Sequence, residues 1–178
     1  MYYRLDCDEV SMTAFIRAEK GCHQSLVRGI VIDVHKEEQP YRYVYTDRTK
    51  SPLFDYYSGD CLMSKRLVEG LESSGADNLQ RLDVELADSG TRETRSDYCL
   101  VNIVGLVECA KVEESDALPL GGGFYFRNLV IDPRKVRDLL VFRLAESLID
   151  VIVHERVAKA IQEGDFRGIV LEPLEEGR

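Results

Sequence analysis

DVIVHERVAKAIQEGDFRGIVLEPL, residues 150–174, holds a β-branched run, an amphipathic stretch, a glycine turn and a second apolar run. Val151, Ile152 and Val153 suit a pleated surface, while Val157, Ala158 and Ile161 fall on one helical face. The stretch reads as strand, helix, turn, strand. Moved back 90 positions, Asp150–Gln162 lies without a gap on Asp60–Glu72, DCLMSKRLVEGLE. The apolar positions coincide, and Asp60 and Arg66 are identical to Asp150 and Arg156. A three-residue gap after the helix then sets Phe166, Ile169 and Leu171 over Leu79, Leu82 and Val84. This pattern predicts an α+β chain of one domain, with a mixed, mostly antiparallel sheet and two internally repeated strand–helix–strand units. The expected segments are a strand and hairpin region over 1–59, a first repeat over 60–86, central strands over 98–145 and a second repeat over 150–174.

Around these units other segments follow the same logic. Tyr2–Cys7 reads as a short strand, and Met12–Ala18 is ambiguous. VRGIVIDV (27–34) and YRYVYT (41–46), separated by a charged stretch closing in Pro40, read as a hairpin, with Tyr41, Tyr43 and Tyr45 on one face. Ser64 is placed to cap a helix over 65–73, and Gly75 to end it. YCLVNIVGLVECA (98–110) is the most strand-like run and is expected at a sheet centre, covered on both faces. Residues 111–119 read as an acidic connection, and EPLEEGR as a frayed tail.

With 178 residues and only 5 Pro, the chain is long enough to bury a core without staples. Its formal charge of -9, spread evenly over both halves, repels a nucleic-acid backbone, so nucleic acid is not an expected partner. A basic protein partner, or simply a solvated acidic surface, is. The five cysteines, Cys7, Cys22, Cys61, Cys99 and Cys109, are odd in number and set mostly among apolar residues, as reduced thiols are. With neither an apolar leader nor a membrane-spanning run, the expected location is the cytoplasm.

Catalytic patterns are sparse. Gly121-Gly122-Gly123 precedes a strand rather than a helix, which predicts a turn and not a phosphate cradle. Cys7, Cys22 and His23 supply three metal-ligand types, yet with no C-x-x-C pair and no fourth ligand at a suitable interval. His154 stands where Ser64 stands in the other unit, which suits helix initiation. There is no G-x-S-x-G elbow. No cofactor or metal is expected. The remaining chemical candidates are Asp60 and Asp150, which are either local turn residues or carboxylates converging in a cleft between the repeats of a small ligand-binding domain or hydrolase-like enzyme. Tyrosine is the compositional anomaly: Tyr41, Tyr43, Tyr45, Tyr56 and Tyr57 fall close together in a chain without Trp. They serve either sheet packing or a partner interface.

The order FRLAES (142–147), IDVIVHERVAKAIQ (149–162) and FRGIVLEPL (166–174) resembles the bacterial immunity protein family eleven of polymorphic toxin systems. So do YCLVNIVGLVECA and MSKRLVEGLESSGADNLQRLDVEL (63–86). The resemblance covers roughly residues 60–174. It implies a cytoplasmic protein, encoded beside a toxin, that binds and blocks that toxin without catalysis. Residues 1–59 lie outside it, leaving the five tyrosines as a partner-binding element. A self-assembling scaffold, forming a homo-oligomer, is the third reading.

Overall fold

Two nine-residue helices, each entered from a strand and left toward another, anchor the architecture. The computed structural model describes residues 1–12, 14–19, 24–47 and 52–177. β1 (Tyr2–Cys7) is followed by β2 (Ala14–Ala18), a 3-10 turn at Gln24–Val27, and β3 (Tyr41–Asp47). β4 (Tyr56–Tyr57) and β5 (Leu62–Ser64) lead into α1 (Lys65–Ser73), then β6 (Leu79–Asp88), β7 (Thr94–Arg95) and β8 (Tyr98–Ile103). β9 (Leu106–Val107), β10 (Asp116–Leu120), β11 (Gly123–Asn128) and β12 (Val130–Ile131) come next. β13 (Val141–Leu144) and β14 (Ser147–His154) deliver α2 (Glu155–Glu163), β15 (Ile169–Pro173) and β16 (Glu175–Glu176). The fold is sheet-rich α+β.

The helix ends follow from local chemistry. The Ser64 hydroxyl accepts the Leu67 N–H at 3.2 Å, and Nδ1 of His154 accepts the Arg156 N–H at 3.2 Å. Each side chain satisfies one of the amide donors that a helix start leaves without a partner. Gly75 adopts φ +104°, a left-handed backbone that glycine enters without steric cost, and α1 stops there. Leu67, Val68 and Leu71 of α1 share one core with Val157, Ala158 and Ile161 of α2, and the two sheets contribute Met63, Val101, Val151 and Val153 to it.

A five-stranded sheet has the order β15-β1-β14-β13-β9, and a second has the path β2-β3-β6-β8-β5-β4 with β7 beside β6. In each, the strands flanking a helix sit on either side of one antiparallel strand: β1 between β14 and β15, β8 between β5 and β6. Met63 and Asp83 face each other across Cys99, and Val153 and Pro173 across Tyr3. These pairs are 90 positions apart, so the registers coincide without the three-residue gap. The gap came from matching apolar to apolar. A shift of three is odd, and an odd shift exchanges sheet faces: Ile169 and Leu171 face the helices, whereas Leu82 and Val84 face away into a separate core.

The identical arginines close the two helices against each other. Arg66, on the first turn of α1, donates to the Asp165 carbonyl at 3.2 Å just beyond α2 and lies 4.8 Å over the Phe166 ring. Arg156, at the equivalent place on α2, reaches the turn after α1, where a methyl on Gly75 would lie 3.2 Å from its guanidinium. Each cation sits at the negative end of the other helix.

Four expectations need correction. VRGIVIDV is not a strand. Gln80 instead offers Ile32 both halves of a strand-like pairing, its carbonyl accepting the Ile32 N–H at 2.9 Å and its amide donating to the Ile32 carbonyl at 2.9 Å. Asn102 donates to the Ile30 carbonyl in the same way. β3 therefore pairs with β2 and, in parallel, with β6 rather than in a hairpin with 27–34. YCLVNIVGLVECA is two strands in two sheets, because Gly105 at φ +146° lets the chain cross from β8 to β9. β8 itself is buried at every position, as expected of a central strand. The acidic connection contains β10, and the tail is tied down: β16 pairs with β12, Leu174 is buried, and Gly177 donates to Ile131 at 3.0 Å.

Candidate interaction surfaces

The tyrosine-rich strand borders a pocket of about 240 Å³ lined by Met12, Phe15, Ile16, Tyr43, Tyr57 and Asp60, among others. That is below the roughly 300–1,000 Å³ of typical small-molecule sites. The Tyr43 hydroxyl donates to Asp60 at 2.9 Å across it. Tyr43, Tyr56 and Tyr57 are buried within the fold. Tyr57 accepts the Phe54 N–H at 3.0 Å, and Tyr56 packs in the core shared by the helices. Tyr41 and Tyr45 are half-buried, the former donating to Glu37 at 2.5 Å and the latter near the Asp88 carboxylate. The structure thus brings the five tyrosines near one sheet but spends three of them on packing.

Asp60 and Asp150 do not converge. Asp60 lies in the turn before β5, held by Tyr43. Asp150 lies on β14 in the other sheet, 3.8 Å from Arg4, and its half-buried carboxyl is held above the usual range by desolvation, which outweighs help from Ser147 and Arg4. Asp60 thus has the turn position allowed by the sequence, whereas Asp150 sits inside a strand and is neither a turn nor a cap residue.

The thiols are insulated as well. Arg143, itself buried, stands beside Cys61, an arrangement that elsewhere activates a thiolate. Here burial dominates and pushes the Cys61 thiol up. Burial also pushes Cys7 and Cys99 up to about 11 and Cys109 to about 12. These four thiols are expected to resist a thiol-reactive dye at pH 8 in the native protein and to react on unfolding; rapid native labelling, mapped by mass spectrometry, would contradict that. Cys22 and His23, the other members of the sequence's metal reading, lie outside the described residues. Among the described residues no three His, Cys, Asp or Glu side chains gather as metal ligands would.

The exposed apolar surface is elsewhere. β10 and β11 form a two-stranded hairpin whose turn, Gly121-Gly122, has φ +59° and +90°, the double left-handed geometry that glycine permits in a tight hairpin. One face sends Ala117, Phe124 and Phe126 into a core over the five-stranded sheet, where Arg4 donates to the Phe126 carbonyl at 2.8 Å. The other face presents Leu118, Leu120 and Tyr125, which are 41%, 62% and 46% exposed, with Leu118 directly opposite Tyr125. A groove of about 650 Å³ beside β9 is lined by Leu106, Arg134, Lys135 and Arg137, but Arg134 is already committed to Asp132 through two bonds of 2.8 and 2.9 Å.

The largest uncovered apolar feature among the described residues is thus the outer face of the β10–β11 hairpin. The family model for the immunity protein family Imm11 matches residues 28–176. The chain belongs to the Imm11 family. No curated protein matches it. The Imm11 match starts well before residue 60, so residues 28–59, with all five tyrosines, belong to the family segment rather than outside it. β1, the middle strand between β14 and β15, precedes that segment. Imm11 membership brings an immunity role and, in general terms, a toxin as partner. No helix among the described residues is long and apolar enough to cross a membrane.

Proposed function

We propose that this Imm11 protein binds a cognate toxin encoded beside it in the cytoplasm and covers the surface the toxin needs, performing no chemistry of its own. The family match over 28–176 carries this reading. It is supported by the separate engagement of Asp60 and Asp150, the insulated thiols, and a hairpin with an uncovered apolar face. A total interface of roughly 1,600 Å² would suffice for specific inhibition. The formal charge of -9 favours a basic toxin, whose encounter it would accelerate. The whole chain acts as one domain in this reading. Its two strand–helix–strand units are copies of one ancestral unit, which accounts for the constant 90-residue spacing of their pairing registers and their paired arginines.

Co-expression with the product of the adjacent gene tests the proposal. The chain is expected to restore growth to cells expressing that product and to co-purify with it in fixed ratio. Continued toxicity with no complex would reject it, as would turnover of a substrate by the purified chain.

A further inference from the structure

The hairpin β10–β11 pairs with no other strand among the described residues and keeps three large apolar side chains in water on its outer face. An apolar centre inside a polar rim is the usual anatomy of a protein interface. Here the polar residues at the base of the hairpin are mostly acidic. Glu113, Glu114, Asp116 and Glu175 surround the base of the hairpin, Glu175 lying 3.4 Å from Asn128 at the end of β11. The bases paired with these acids are Lys111, bonded to Glu114 at 2.9 Å, and Arg127, 3.9 Å from Asp116, while Arg4, which donates to the Phe126 carbonyl, is bonded to Glu172 at 2.8 Å. The base of the hairpin, at one end of the apolar face, thus carries a net negative charge.

We propose that the outer face of β10–β11, through Leu118, Leu120 and Tyr125, is where the protein docks a basic protein partner. This deepens the toxin-binding reading and rests on it. The acidic base selects the occupant. A second copy would bring the same acids and a further -9 charge, and an anionic lipid surface would be repelled in the same way. Docking uses the face and not the edge of the hairpin, because Pro119 removes one backbone donor from β10. Tyr125 supplies the anchor, with a broad ring for contact and a hydroxyl at its end.

The test uses the full-length chain and the purified product of the adjacent gene, inactivated for handling. The variants Leu118→Glu, Leu120→Ser and Tyr125→Ala are compared with wild type by calorimetry. Tyr125→Ala is expected to weaken binding by about thirtyfold or more, as loss of an interface anchor does. Higher salt should slow association. Thermal melts check that each variant folds, and Leu120→Ser, at the most exposed position, keeps the test available if another does not. Variants that bind as tightly as wild type would overturn the hairpin assignment while leaving toxin neutralisation standing. A wild-type chain that binds nothing would overturn both. A wild-type dimer that the hairpin variants dissolve, with partner binding unchanged, would reassign this face to self-association and overturn the proposal.

Discussion

Replacing Asp55 with alanine is expected to lower stability by about 3–5 kcal/mol, the range seen when one partner of a buried, charged hydrogen-bond network is removed. Asp55 is only 4% exposed. Its carboxylate accepts from the Ser64 hydroxyl at 2.5 Å, Nε of Arg66 at 2.8 Å, a second Arg66 nitrogen and the Arg167 N–H at 2.8 Å. Its backbone donates to the Arg167 carbonyl and accepts from the Ser64 N–H. One residue therefore holds the cap of α1, the arginine that closes α2 and the chain entering β15. Half of Arg66 is in water, so its Coulombic share is discounted. The cost arises mainly from buried donors left without an acceptor. Alanine should lower Tm by roughly 10 °C. Asparagine keeps the shape but turns one acceptor into a donor facing Arg66, and should fall between. A loss under about 1 kcal/mol for alanine, measured by denaturant titration, would show that the network does not hold the two halves together.

Asp55 carried no sequence signal, since a lone aspartate in LFDYY belongs to no periodic element and its partners are 9 to 112 positions away. The two helices were legible because period, cap and terminator agree locally: Ser64 and His154 at the starts, apolar stripes of matching phase, Gly75 at an end. Strand pairing was less so. VRGIVIDV has the composition of a strand, and side-chain amides from Gln80 and Asn102 satisfy its backbone instead, a long-range solution that composition cannot reveal. The run 98–110 looked continuous since one glycine φ, at Gly105, decides whether it stays in its sheet.

The same limits apply to the surfaces. In ALPLGGGFYF both faces of the hairpin are apolar, so alternation does not say which one meets water, and the part before the glycines reads as a connection. Phe126 is buried and Tyr125 exposed because the five-stranded sheet lies beneath one side only. The paired aspartates stand out through the matched sequence pattern of the two segments, but only tertiary structure separates them into different sheets.

The tyrosines yield the clearest decision between packing and binding. Tyr43→Ala is expected to cost about 3–5 kcal/mol, in line with truncating a buried aromatic ring. The ring packs among Leu82, Val84 and Leu86 and is 2% exposed, while the lost hydroxyl leaves Asp60 without its donor. Tyr43→Phe, which keeps the ring, isolates that hydrogen bond and should cost about 0.5–1.5 kcal/mol. Tyr41→Ala and Tyr45→Ala, at half-buried positions on either side, should each cost less than Tyr43→Ala because less apolar area returns to water. The three rings share one face of β3 but differ in burial, which predicts a graded series in which loss of melting temperature follows burial. Should Tyr43→Ala melt like wild type yet lose its partner, the strand would have to turn that ring outward, and the shared core beneath β3 and β6 would be wrong. The hairpin would then compete with the tyrosine strand as the docking face, and only the calorimetric series on Tyr125 would separate them.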